Sequence, residues 1–285
     1  MKKILHVCLL LLASFSPCQL AAGEAVRLYD FGADEMAYLA LPPHTPIGSV
    51  LLIPDALGTP EVVAARCDLL ARLGFVAMTV DFYNGQTATN LEKSRGIQGR
   101  LPAEDSRKTI AAALNLLTKS PQYRTEKLVI GVWGGNMEFL RAVLAEPGRS
   151  TPLVALSWLE PDGPALADPF VGLPRPLQVL ANNGPWMGEW EKAQATQPMK
   201  RIPADIHRYA AEPGFLLKAE ADEMAAQVWA TVIEFWKKAV TGADVASVVK
   251  QQQPAPSETQ PEKWVPEAQQ EGPNAVRKPS IMPRR

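Results

Sequence analysis

The chain has 285 residues, of which 29 are Lys or Arg and 30 are Asp or Glu, giving a net charge of −1. Its length is sufficient for one domain with a sizeable core and additional segments at the ends. The balanced charge and the lack of a basic stripe exclude a strongly basic nucleic-acid-binding surface, so we expect no nucleic-acid partner.

The N-terminus has the pattern of a secretory signal peptide. Two lysines precede an apolar run at residues 4–12, and small residues follow a polar patch just before position 24. The run is too short to cross a bilayer. We predict that residues 1–23 are a signal peptide cleaved after Gly23 or Ala25. The protein is therefore expected to be exported, periplasmic or secreted, and to have no transmembrane span.

Cysteine and histidine are scarce once this leader is removed. Cys67 is then the sole cysteine, so no intramolecular disulfide can form, and we interpret it as a small core side chain. The remaining histidines are His44, in a proline-rich turn, and His207. No H-x-x-H or His–Cys spacing occurs, so we predict neither a metal nor a cofactor.

Strand and helix patterns alternate through residues 24–241, which predicts an α/β domain with a mostly parallel sheet covered on both faces. The predicted strands are residues 26–31, 36–41, 48–54, 75–81, 127–132, 153–158, 177–181 and 205–209. The predicted helices are residues 61–73, 102–119 and 218–240, with a further helical pattern at Met137, Leu140, Val143 and Leu144.

Two local details follow from these patterns. In the helix at residues 61–73, the spacing of Val62, Ala65, Leu69 and Leu73 predicts that this stripe faces the core. Residues 83–101 are polar and show no apolar period, so we predict a long loop.

Residues 127–146 have the form of a nucleophile elbow, a strand that enters a helix through a tight glycine-rich turn. The turn, GVWGGN, runs from Gly131 to Asn136. In hydrolases built on a parallel sheet, such a turn presents the attacking side chain above the end of the strand. Here no side chain of the turn can attack a carbonyl group.

Residues 51–85, LLIPDALGTPEVVAARCDLLARLGFVAMTVDFYNG, place an acidic residue after a strand and an Asp-x-Tyr turn at Asp81 and Tyr83. Together with NLLTKSPQYRTEKLVIGV, PLQVLANNG and IHRYAAEPGF, this segment resembles the dienelactone hydrolase family over about residues 49–240. The resemblance implies a three-layer α/β-hydrolase sandwich and the hydrolysis of carboxylic esters or lactones by a catalytic triad. It also implies that Asp55 replaces the family's Glu that contacts the nucleophile.

The family's nucleophile position falls on different residues in different alignments. Counting from Pro121 places Gly134 there, the flanking glycines place Trp133 there, and the Ile-Gly-Val triplet places Asn136 there. None of these residues is a competent nucleophile, so we assign no confirmed catalytic residue.

The other two triad roles are also unmatched. The acid position falls on Pro185, and the histidine position falls near Pro213 or Gly214. Ser157 at a predicted strand end and His207 within a strand are the material for a displaced triad. Without a nearby histidine to accept its proton, Ser157 would be an inert hydroxyl.

A set of residues at or beyond the predicted strand ends forms the candidate binding site. These residues are Asp55, Ala56, Trp133, Gly134, Gly135, Trp158 and Trp186. Aromatic rings with an acidic group could line a pocket for a small apolar or cationic molecule. The alternative is that Trp133 fills the space left by the missing catalytic groups.

Residues 242–285 are rich in Pro, Gln and Glu and show no apolar period, so we predict a disordered tail. Its apolar pair, Trp264 and Val265, is either a contact for a protein partner or incidental to the composition of the tail. Two hypotheses follow for the whole chain. It is either a catalytically degenerate exported protein with a binding or scaffolding role, or an active ester or lactone hydrolase with a displaced site. A structural envelope protein held by its tail is a third class.

Overall fold

The computed structural model describes residues 23–28, 33, 35–145, 153–160, 176–182, 204–209, 214–217 and 223–242. Residues 1–22 of the predicted signal peptide and residues 243–285 of the predicted tail lie outside these ranges. Pro185, Trp186 and Pro213 also lie outside the described residues.

The described strands form an eight-stranded sheet in the order β1-β2-β4-β3-β5-β6-β7-β8. The strands are β1 Glu24–Arg27, β2 Met36–Ala40, β3 Gly48–Ile53, β4 Phe75–Val80, β5 Leu128–Trp133, β6 Leu153–Leu159, β7 Leu177–Asn182 and β8 Ala204–Tyr209. β2 pairs antiparallel with β1 and β4, and all pairs from β4 through β8 are parallel. The predicted α/β class with a mostly parallel sheet is confirmed.

The described residues contain five α-helices. They are α1 Pro60–Arg72, α2 Leu91–Gln98, α3 Ala103–Lys119, α4 Met137–Leu144 and α5 Glu223–Thr241. Side chains of α3 and α4 share one buried cluster with one face of the sheet, and those of α1 and α5 share a second cluster with the other face. Long apolar runs in β3, β4 and β5 fit this burial on both faces. The three-layer sandwich is therefore confirmed.

The buried face of α1 differs from the prediction. The structure buries Val63, Cys67 and Leu70, whereas the stripe through Val62 and Leu69 is only half-buried. The prediction was wrong because two apolar stripes run along this helix one position apart, and packing against the sheet selects the second. Cys67 is fully buried as predicted, and burial raises the pKa of its thiol.

The predicted loop at residues 83–101 contains the helix α2, so that prediction was wrong in part. Asn90 Oδ1 accepts a hydrogen bond from the backbone N–H of Lys93 at 2.9 Å and caps the helix. Among the α2 residues only Ser94 is fully buried, so the helix carries no apolar stripe from which it could be predicted.

None of the described helices combines the length and the apolarity needed to cross a bilayer. In the same part of the chain, no three His, Cys, Asp or Glu side chains gather closely enough to hold a metal ion. The expectation that the protein uses neither a metal nor a cofactor stays a prediction.

Candidate functional site

The strand-to-helix turn after β5 bends at Gly134. This residue has φ +51°, whereas Trp133 has extended backbone at φ −97° and ψ 144° and pairs with Leu159. A side chain at positive φ is strained, and a nucleophile elbow holds its attacking residue at such a bend. Of the three alignments, the one that counts to Gly134 therefore matches the geometry of the turn. The residue at the bend has no side chain.

The Trp133 side chain lies inside the core on the α1 and α5 face of the sheet. It is 0% exposed, and its ring centroid lies 5.8 Å from that of Trp229. Its Nε1 is buried and has no hydrogen-bond partner among the described residues. Gly131, two residues earlier, leaves room for α5, because a Cβ there would lie 3.0 Å from the ring of Trp236. Trp133 thus fills core volume beneath the bend.

Asn136 joins the elbow to the loops that follow β3 and β4. Its Nδ2 donates to the carbonyl oxygen of Pro54 at 2.5 Å and to the hydroxyl of Tyr83 at 3.0 Å. The Tyr83 hydroxyl itself lies 3.3 Å from the Pro54 carbonyl oxygen, to which it donates. The Asn136 amide is fully buried, so its polar atoms serve to connect three segments of the site.

The Asp-x-Tyr turn orients Tyr83 toward this cluster. Asp81 Oδ1 accepts from the backbone N–H of Tyr83 at 3.0 Å, and Oδ2 accepts from that of Gly85 at 2.8 Å. An aspartate that binds backbone N–H groups two and four residues later fixes a tight turn. The resemblance therefore identified a turn whose role in this structure is to position the Tyr83 ring.

Asp55 follows β3 and is 3% exposed. Its Oδ1 accepts from the backbone N–H of Leu57 at 2.8 Å. Asp55, Pro54 and Tyr83 all line a cavity of about 310 Å³ at the carboxyl ends of β3 and β4. The adjacent Ala56 is fully buried, and its carbonyl oxygen accepts from the backbone N–H of Ala88 at 2.7 Å. Asp55 is the predicted site residue that the structure places on this cavity.

A second buried carboxyl group, Glu160, was missed by the sequence reasoning. It follows β6 with φ +45° and is 4% exposed. Its Oε1 accepts from the backbone N–H of Phe215 at 3.0 Å, and the backbone of Leu216 and Gly214 also bonds to it. Burial, and next the charge of Asp55, raise the pKa of Glu160 to about 8 against the opposing effect of those backbone bonds. Its Oε2 has no hydrogen-bond partner in the described part of the chain.

Gly214, one of the predicted histidine positions, lies in the segment that binds Glu160. A Cβ on Gly214 would lie 3.0 Å from the side chain of Leu57, and a Cβ on Gly58 would lie 3.1–3.2 Å from Val63 and Leu217. The loop after β3 and the segment that binds Glu160 therefore pack directly against each other. In the sequence, the one signal that could have identified Glu160 is that an acidic residue directly follows an apolar strand.

The displaced triad is not assembled. Ser157 lies inside β6, its hydroxyl donates to Gln178 Oε1 at 2.9 Å, and it accepts from Trp236 Nε1 at 2.9 Å. His207 lies inside β8, paired with Leu180 of β7. The Ser157 proton is thus directed to an amide oxygen and not to an imidazole.

The predicted aromatic residues are separated by the sheet. Trp158 belongs to the buried cluster on the α3 and α4 face, and its Nε1 donates to the carbonyl oxygen of Gly134 at 2.9 Å. Trp133 belongs to the cluster on the opposite face. Gly135 is half-buried in the turn. Asp55 therefore lines the cavity, whereas the indoles of Trp133 and Trp158 lie in the two cores on opposite faces of the sheet.

Comparisons with known proteins give a match to one family model and similar solved structures. Residues 36–240 match the model of the dienelactone hydrolase family. A dienelactone-hydrolase-like promiscuous phosphotriesterase from metagenomic libraries is 18% identical, with a TM-score of 0.59 over 76% of this chain and 98% of that one. A dienelactone hydrolase from Anabaena variabilis is 14% identical, with a TM-score of 0.56 over 75% of this chain and 95% of that one. At these identities the structural likeness establishes the fold alone. A comparison with curated protein sequences gave no match.

Proposed function

This chain belongs to the dienelactone hydrolase family, and we propose that it is an exported member that binds a small molecule beside its elbow without covalent catalysis there. The observation that carries the proposal is Gly134 at the positive-φ bend of the turn. Export rests on the basic, apolar and small-residue order of residues 1–23.

Covalent hydrolysis requires a nucleophilic atom at the bend and a base that takes its proton. Gly134 provides no such atom. The Trp133 nitrogen is enclosed in the core, and the Asn136 amide is held by Pro54 and Tyr83. The three residues that sequence alignment offered for the nucleophile are therefore unable to attack a substrate.

Binding is supported by the cavity that retains Asp55. Ligands of open parallel sheets lie beyond the carboxyl ends of the strands, which is where this cavity lies. Its volume of about 310 Å³ is at the small end of the range for small-molecule sites. Asn136 of the elbow bonds directly to two residues of the cavity wall, so the binding site adjoins the elbow.

The test is a hydrolase screen of the purified protein without its leader. We expect no labelling by a fluorophosphonate probe and no turnover of p-nitrophenyl acetate, p-nitrophenyl butyrate or a simple lactone above the uncatalysed rate. Ser157→Ala is the matched control. The Ser157 hydroxyl is the strongest candidate for a serine nucleophile, and we expect its loss to change neither labelling nor turnover in this screen. Labelling that disappears in Ser157→Ala would overturn the proposal.

A second candidate function is hydrolysis of carboxylic esters or lactones by an activated water at a displaced site. It is favoured by Asp55 and Glu160, two buried carboxyl groups of which Glu160 holds a proton near neutral pH. A carboxylate can act as a base, and a protonated carboxyl group can act as an acid. In this function Asp55 takes a proton from water, and Glu160 gives one to the leaving oxygen.

The activated-water hydrolase predicts different results in the same screen. Turnover would be lost in both Asp55→Asn and Glu160→Gln, would fall as the pH rises through about 8, and would persist in Ser157→Ala.

A scaffolding role through the tail stays a proposal supported by the composition of residues 242–285. Deletion of residues 242–285 would then abolish capture of a partner while leaving the unfolding transition of the domain unchanged.

A further inference from the structure

The first strand of the sheet starts directly after the predicted leader. β1 is an edge strand of four residues, and it pairs antiparallel with β2 along its whole length. Its first two residues, Glu24 and Ala25, form half of this pairing. Cleavage after Ala25, one of the two predicted bonds, would therefore remove half of the strand. The fold uses the chain from Glu24 onward.

Gly23, the residue before β1, is bonded to the domain through its backbone nitrogen. The N–H group donates to Asp68 Oδ1 on α1 at 3.0 Å, although the two residues lie 45 positions apart. The Tyr38 hydroxyl on β2 donates to the same oxygen at 2.9 Å. Burial, and next the bond to Asp68, raise the pKa of Tyr38 to about 12, so this hydroxyl stays a donor near neutral pH. Asp68 thus connects the start of β1 and the strand β2 to α1.

Position 23 is fitted to a glycine. A Cβ there would lie 2.5 Å from Cε1 of the Tyr38 ring and 2.7 Å from the carbonyl oxygen of Leu39. The ring is held through its hydroxyl, and the carbonyl belongs to the backbone of β2, so neither neighbour moves easily. A residue that is discarded with a leader has no need to match the domain so closely. These contacts favour a mature chain that keeps Gly23.

The sequence allows a third cleavage bond besides the two predicted ones. A peptidase needs a small residue directly before the bond that it cleaves, and this requirement underlies the predicted cleavage after Gly23. It does not account for the hydrogen bond from Gly23 to Asp68. Ala22 is also small, so the bond after Ala22 meets the same requirement. Cleavage there keeps Gly23 and all of β1.

We propose that the leader is cleaved between Ala22 and Gly23, and that the new α-ammonium group of Gly23 binds the Asp68 carboxylate. The peptidase of the export machinery adds water across the peptide bond. The water oxygen ends in the Ala22 carboxylate, and both water protons end on the Gly23 nitrogen. An ordinary α-amino group has a pKa of about 8 and is positively charged near neutral pH. Its hydrogen bond to a carboxylate is stronger than that of the neutral amide in the precursor. The proposal rests on export, which is part of the proposed function.

The first test is the N-terminal sequence of the exported protein. The full chain of 285 residues is expressed in a bacterial host, and the exported fraction is sequenced from its N-terminus. We expect the mature chain to start at Gly23. A start at Glu24, Val26 or any other residue would overturn the proposed bond and leave export in place. A chain that keeps its leader and stays inside the cell would overturn export, and the proposed bond with it.

The second test measures what the new N-terminus contributes to stability. Leaderless proteins that begin at Gly23 or at Glu24 are released with a free amine from an N-terminal fusion, and their melting temperatures are compared. We expect the Gly23 form to melt at least about 2 °C higher, because it places an ammonium group on Asp68. Acetylation of the Gly23 amine removes the charge and keeps one N–H group, so the acetylated form should melt between the other two.

Asp68→Asn tests the partner of the ammonium group. It should lower the melting temperature of the Gly23 form by at least about 2 °C and remove most of the difference between the Gly23 and Glu24 forms. Asp105→Asn is the matched control, because it removes an exposed carboxylate on α3 and should shift both forms equally, by less than about 1 °C. Equal melting temperatures of the two forms, or a difference that survives Asp68→Asn, would overturn the ammonium site. If Asp68→Asn does not fold, the N-terminal sequence and the acetylated form still decide.

Discussion

Trp133 offers the sharpest test of how the space beneath the elbow is filled. We consider Trp133→Ala and Trp133→Phe as a pair. A buried tryptophan removes roughly 150–250 Å² from water, which corresponds to about 4–6 kcal/mol as an upper limit. Substitutions of large buried aromatics by alanine cost about 3–5 kcal/mol, and the ring contact with Trp229 lies within that cost. We therefore expect Trp133→Ala to lower the free energy of unfolding by about 3–5 kcal/mol.

Trp133→Phe should behave differently because of the unpartnered Nε1. Phenylalanine loses part of the ring contact but also removes a buried N–H group that has no acceptor in the described part of the chain. Such a group costs about 1–3 kcal/mol, so the net effect of Trp133→Phe should lie within about 1 kcal/mol. The pair thus separates lost volume from an unsatisfied polar atom.

Urea unfolding of both variants measures these differences. For a domain of this size, Trp133→Ala should also lower the melting temperature by about 6–20 °C. Trp264→Ala in the predicted tail is a control of the same residue type, with an expected change below about 0.5 kcal/mol. A cost below about 1.5 kcal/mol for Trp133→Ala would refute the reasoning and indicate that solvent or a ligand reaches the indole.

Three further outcomes are expected. Glu160→Gln should raise the free energy of unfolding relative to wild type more at pH 8.5 than at pH 5. The raised pKa of Glu160 in the folded state stabilises the wild type fully below about pH 4.5, and this stabilisation is lost as the pH rises through about 8. By that shift the wild-type loss is about 3–5 kcal/mol, and a pH-independent difference between the two proteins in urea unfolding would contradict it. Asn136→Ala removes the donor to Pro54 and Tyr83 and should cost about 1–3 kcal/mol by the same measurement, whereas unchanged stability would show that these bonds contribute nothing. Gly134→Ser should not create p-nitrophenyl butyrate hydrolysis, since a triad acts as a unit, and robust turnover would reveal a base within reach.

The parts of the fold predicted from sequence are those that local pattern determines. The buried strands β3, β4 and β5 were predicted because each is a short apolar run bounded by turn residues. Gly134 was among the elbow candidates because a strand, a tight turn and a helix keep a fixed spacing. The helix α2 was missed, since its stability comes from a cap and not from an apolar stripe.

The missed features of the site depend on contacts between distant segments. The Phe215 N–H group that binds Glu160 lies 55 positions away along the chain, so no local pattern predicts the bond. The face of α1 was predicted wrongly because Val62 and Val63 each begin an apolar stripe, and only the sheet selects between them. Trp133 and Trp158 were predicted to line one pocket. They lie on opposite faces of the sheet, because successive side chains along a strand alternate between the two faces.

Gly134 also has a consequence for how much mutation this domain tolerates. A residue with a side chain in the left-handed region costs about 1–2 kcal/mol, and enzymes accept such costs at their active sites in exchange for activity. A glycine with φ +51° avoids that cost. Because domains of this kind retain only about 5–15 kcal/mol in total, the difference is a meaningful reserve. It is comparable to the cost of one buried polar atom that has no hydrogen-bond partner among the described residues, such as Thr79 Oγ1.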